Sequence, residues 1–101
     1  MPAIPIQDAI EQLALRVEQS ELRDLVEIFA ELFPAKPLTE AKTSSAGVLG
    51  RKLSQYVREK IEPEEAADLW NVVFPDGPNF YYDEEERALR QTDRGLRYAG
   101  S

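Results

Sequence analysis

Apolar residues recur at helical spacing in four stretches of the chain. Ile6, Ile10, Leu13 and Val17 stand 4, 3 and 4 positions apart, with Ala9 and Ala14 between them. Side chains at that spacing share one helix face, so a first helix is expected over residues 7–19. Leu22, Leu25, Val26, Phe29, Leu32 and Phe33 form a second stripe. Ser20 is its expected N-cap, Glu21 and Asp24 suit the positive end of the dipole, and Pro34 stops it. With almost no loop between them, these two helices should pack as an antiparallel hairpin.

Residues 35–45 contain Pro37 and the run Thr43-Ser44-Ser45. They read as a loop with room for one turn begun by Thr39. Val48, Leu49, Leu53, Tyr56, Val57 and Ile61 make the third stripe, capped by Ser45 and ending near Arg58 and Lys60. Gly47 and Gly50 weaken its first turn. Glu62-Pro63-Glu64-Glu65 then starts a fourth helix, with Pro at the first helical position and acids in the first turn. Ala66, Leu69, Trp70, Val73 and Phe74 supply its apolar face. Residues 75–79 form a turn, and Phe80-Tyr81-Tyr82 an extended aromatic run. Asp83 is the expected cap of a last helix, with Glu84, Glu85 and Glu86 in its first turn and Gly95 just past its end.

These elements define an all-α fold: a single helical domain over residues 1–95, a bundle of four to five helices, with 96–101 as a flexible tail. A winged helix-turn-helix is the rival. It would pair residues 70–74 with 80–82 as a β-hairpin near 70–82, with 48–60 as recognition helix carrying Arg51, Lys52 and Arg58. The helix start at residues 62–67 favours the all-α reading.

One near-repeat stands out. Glu27-Ile28-Phe29-Ala30-Glu31-Leu32-Phe33-Pro34-Ala35-Lys36-Pro37 recurs 41 positions later as Asp68-Leu69-Trp70-Asn71-Val72-Val73-Phe74-Pro75-Asp76-Gly77-Pro78. Each copy ends an apolar helix on Phe-Pro and then turns. Phe and Trp at helical spacing are first of all core anchors, so the repeat speaks to architecture before chemistry.

Composition narrows the chemistry. The chain has 101 residues, no cysteine and no histidine. Thiol nucleophiles, disulfides and thiolate metal sites are therefore excluded, along with the commonest general base and metal ligand. No cofactor, metal site or catalytic residue is expected, and an enzymatic role ranks well below binding. Ser44, Ser45 and Lys42 lack any sign of an oxyanion hole. The run Asp83-Glu84-Glu85-Glu86 lacks the alternating ligands of an EF-hand loop. Gly47-Val48-Leu49-Gly50 lacks the context of a nucleic-acid clamp. No stretch approaches the roughly 20 apolar residues of a spanning helix. Residues 1–6 have neither the basic nor the long apolar region of a signal peptide, so a cytoplasmic address is expected. A net charge of −7 disfavours nucleic acid and anionic membranes and suits a basic partner surface.

The candidate contact residues are Trp70, Phe80, Tyr81 and Tyr82, with Arg90, Arg94 and Arg97. Successive side chains of an extended segment point to opposite sides, so three consecutive aromatics cannot all face the core. Arg87, Arg90, Arg94 and Arg97 stand 3, 4 and 3 apart, which on a helix would align them. The function expected is a small acidic protein–protein interaction module: an adaptor, assembly factor or inhibitor of a larger protein. A winged-helix nucleic-acid-binding regulator is the alternative, and a homodimeric structural protein a weaker one.

Overall fold

The computed structural model describes residues 3–92. Within them the chain forms β1 (Ile4–Pro5), α1 (Ile6–Glu18), α2 (Leu22–Leu32), α3 (Thr39–Lys42), α4 (Ala46–Glu59), α5 (Pro63–Val73), β2 (Phe80–Asp83) and β3 (Ala88–Gln91). The fold is mostly helical but not all-α, because a small antiparallel sheet of order β1-β3-β2 closes one side. No helix among the described residues is long and apolar enough to cross a membrane.

Four of the expected helices form within a few residues of their predicted limits. Helix α1 packs on α4 and α5 and on the sheet, and α2 lies across α4 and α5. The expected α1–α2 hairpin is therefore not the packing unit. Ser20 is not the N-cap of α2 either: its hydroxyl donates back to the Arg16 carbonyl at 2.7 Å, and extended Glu21 takes the cap position. By finishing α1 instead, Ser20 lets the chain turn and carry α2 away. Ser45 does cap α4, accepting from the Val48 amide at 3.3 Å. The core is apolar and continuous: Leu13 and Val17 of α1, Leu25 of α2, Val57 of α4, Leu69 of α5 and Leu89 of β3 are all fully buried.

The near-repeat is also a repeat of geometry. Phe33 and Phe74 are the C-caps of α2 and α5, with φ/ψ of −131°/66° and −119°/67°. The Phe33 amide donates to the Phe29 carbonyl at 2.8 Å, and the Phe74 amide to the Trp70 carbonyl at 2.9 Å. Three residues on, Lys36 and Gly77 donate back to the Phe33 and Phe74 carbonyls at 3.0 and 3.3 Å. Each Phe packs in a tilted contact against the aromatic residue one turn earlier, with centroids 5.3 Å apart for Phe29–Phe33 and 4.6 Å for Trp70–Phe74.

The last expected helix is a β-hairpin. Asp83 makes its capping bonds, its Oδ1 accepting from the amides of Glu85 and Glu86 at 3.0 and 3.2 Å. The turn ends after one revolution, because Arg87 adopts φ 51° and reverses the chain. Ala88 and Leu89 then pair with β1 on one side and β2 on the other, with Leu89 between Ile4 and Tyr82. Burial of Leu89 outweighs the helical signal of the acidic run. The rival hairpin at 70–82 does not form, since α5 continues to Val73. Arg87 and Arg90 consequently share no helix face.

Candidate functional site

The expected contact residues separate into inward and outward sets. Trp70 is buried, and Phe80 packs edge-on against it at 5.6 Å. Tyr82 is half-buried against the core. These three anchor the hairpin to α5. Tyr81 points the other way, 47% exposed, and pairs across the ladder with Arg90. The Arg90 guanidinium lies 3.5 Å from the Asp83 carboxylate. Arg94 and Arg97 lie outside the described residues. The structure thus presents Tyr81, Arg90 and Asp83 together on the outer face of the sheet.

A larger feature lies elsewhere. Between the end of α2, α3 and α4 runs a groove of about 340 Å³, walled by Phe29, Phe33, Leu49 and Leu53. Its rim carries Lys36, Lys52 and Lys60, with Ser44 and Glu40. The chain contains only one further lysine, Lys42, on α3. Among the described residues, none of these four lysines lies within ion-pair distance of a carboxylate. A neighbouring depression over Gln55, Tyr56 and Glu59 shares Lys52 and Lys60 with the groove, so the two are continuous. Glu59 is engaged by Gln55, whose amide donates to it at 3.0 Å.

Local folding explains the arrangement. The Phe-Pro end of α2 leaves Phe33 half-buried at the groove and turns Lys36 back over its ring, with Nζ 4.9 Å from the centroid. That is cation–π distance. Tyr56 also meets Phe33, at 5.0 Å in an edge-on contact. The Tyr56 hydroxyl donates to Glu65 at 2.9 Å, and Glu65 also accepts from the Glu62 amide at the start of α5. Burial, reinforced by the bond to Glu65, raises the Tyr56 phenol above its ordinary pKa. The groove wall is therefore tied to α5 through a neutral phenol. Two of the exposed large apolar residues, Leu38 and Val48, stand close in sequence to the groove residues Lys36 and Leu49.

The cations of the rival nucleic-acid reading are not equivalent. Arg58 holds Glu11 through two bonds at 3.0 and 3.2 Å and lies 3.5 Å from Glu18. Its hydrogen bond to Glu11 raises the guanidinium pKa and lowers that of Glu11. Arg58 thus joins α4 to α1. Lys52, by contrast, belongs to the groove.

A third depression, of about 200 Å³ between α1, α2 and α5, is lined by Asp24, Glu27 and Asp76 beside Arg16. The acidic character of the chain is expressed there, on a different surface from the lysines. No group of three or more His, Cys, Asp or Glu side chains placed to hold a metal ion occurs among the described residues.

Sequence reasoning missed the lysine groove. A signal was available, since Lys36, Lys42, Lys52 and Lys60 all fall within one 25-residue window, 36–60, of an otherwise acidic chain. Their convergence needed the packing of α2 on α4. No protein-family model, no curated protein and no solved structure matches this chain.

Proposed function

We propose that this chain is a small protein-interaction module that holds a segment of a larger protein in the groove between α2, α3 and α4. The observation that carries this reading is the rim of Lys36, Lys52 and Lys60, unpaired with carboxylates, around apolar walls. An exposed ion pair contributes little to a fold, so leaving these cations unpaired costs the domain little in stability. Left open, they complement a partner. The Phe33 ring beside them belongs to the aromatic residue types enriched at interfaces. The outer hairpin face around Tyr81 and Arg90 is a second, smaller surface for the same class of function.

Site-specific photo-crosslinking tests this reading. A photoreactive residue replaces Gln55 at the groove, Tyr81 on the hairpin, or Gln12 on α1 as a control. A discrete protein adduct from Gln55 that is absent from Gln12, and is lost on Lys36→Glu with Lys52→Glu, supports the groove. An adduct from Tyr81 alone transfers the function to the hairpin. Equal adducts at all three positions overturn the reading.

A further inference from the structure

We infer that the occupant of the groove is an acidic amphipathic helix of a partner protein. This rests on the interaction-module reading above and goes beyond it by fixing the partner's chemistry.

Three observations point there. The first is charge. The rim presents three lysines against the carboxylate of Glu40, and the continuous depression adds Glu59, so the local sign is still opposite to that of the whole chain. A basic segment meets repulsion at this groove and attraction at the Asp24, Glu27 and Asp76 depression. An acidic segment meets the reverse, and only the groove suits it.

The second is spacing. Lys52 lies in the middle of α4 and Lys60 is its C-cap, eight residues later, about 12 Å along a helix axis. Lys36 stands across the groove on the connection after α2. One carboxylate cannot serve all three. A ligand with several carboxylates spread over two helical turns can.

The third is shape. Leu49 and Leu53 are 3% and 2% exposed, so the partly exposed wall residue Phe33 supplies most of the apolar surface within reach. At about 340 Å³ the groove stands at the small end of small-molecule pockets, about 300–1,000 Å³, so a small amphiphile is the competing occupant that the test must separate. A helix laid along it needs only to seat one or two apolar side chains against Phe33. Helix-in-groove recognition works through such spaced anchors. The aliphatic stems of the lysines cover the apolar edge while their ammonium groups reach the partner's acids.

Fluorescence anisotropy on the whole chain tests this with three probes. The first is a labelled amphipathic peptide of about 15 residues, long enough to form a helix on binding, with Leu and Phe on one face and Glu flanking them. The second is the same peptide with Lys in place of Glu. The third is a fluorescently labelled dodecanoate. The acidic peptide is expected to bind at least about tenfold more tightly than the basic one, because rim charges select the partner's sign. Lys52→Glu with Lys60→Glu reverses that preference, while Tyr81→Ala leaves it unchanged. Equal binding of both peptides, or a preference that survives the lysine reversals, overturns the inference. Binding of dodecanoate without the acidic peptide overturns it in favour of a small-ligand pocket. Failure of the acidic peptide, while the Gln55 crosslink to a protein persists, overturns the acidic-helix occupant and leaves the module reading standing.

Discussion

Asn71 holds Phe80 by both of its backbone polar groups. The Asn71 Nδ2 donates to the Phe80 carbonyl at 3.0 Å, and the Phe80 amide donates to Asn71 Oδ1 at 2.8 Å. One side chain on α5 thereby takes the place of a neighbouring strand at the edge of β2. Edge strands left open invite pairing with other chains, and this clamp closes the edge where Phe80 enters the aromatic cluster. Asn71→Ala should cost about 1–3 kcal/mol, since both partners lose a bond at a partly buried site. Urea unfolding measures it, and hydrogen exchange at the Phe80 amide should accelerate with it.

The two glycines of α4 should respond in opposite ways. A Cβ on Gly47 would meet nothing within 4 Å, whereas one on Gly50 would lie 3.1 Å from the Glu18 carbonyl oxygen of α1. Gly47→Ala should stabilise by up to about 1 kcal/mol through helix propensity. Gly50→Val should destabilise by about 2 kcal/mol or more, because the opposing atom is backbone and the helices must separate. Thermal melts of the two variants check both signs.

Arg87 carries the positive φ that turns the hairpin. Arg87→Gly should leave stability unchanged or raise it by up to about 1 kcal/mol, while Arg87→Val should lower it by about 1–2 kcal/mol, as a β-branched residue tolerates that region poorly. Guanidinium unfolding of the pair measures the difference.

The hydrogen bond from Arg58 holds the Glu11 carboxyl below its ordinary pKa. A lowered folded-state pKa means that the contribution is fully present above the unfolded-state value. It is lost as pH falls through the folded value. Glu11→Gln should therefore flatten the acid limb of the stability–pH curve and leave its shape near neutrality unchanged. Urea midpoints collected across the acid range test this.

How legible the chain was follows from where its signals are local. The stripes of α1, α2, α4 and α5, the Ser45 cap and the Glu62-Pro63 start are short-range, and each recurs in the structure. The Asp83 cap was legible too, but not its outcome, because the residues that end its turn act through Leu89. That side chain is drawn into the core between Ile4 and Tyr82, which lie far apart in sequence. For the same reason the two-residue strand Ile4–Pro5 gives no local signal. Tyr81 and its inward neighbours Phe80 and Tyr82 follow the alternation expected of an extended run. The groove was illegible because its lysines come from a connection, a helix and a helix end. Only the packing of α2 on α4 gathers them.

The most direct test is amide chemical-shift mapping of the isotopically labelled chain titrated with the acidic amphipathic peptide. Shifts centred on Phe33, Lys36, Leu49, Lys52 and Leu53, abolished by the Lys52→Glu, Lys60→Glu variant, are the predicted result. Shifts centred on Tyr81 and Arg90, or groove shifts that persist in that variant, would contradict the account.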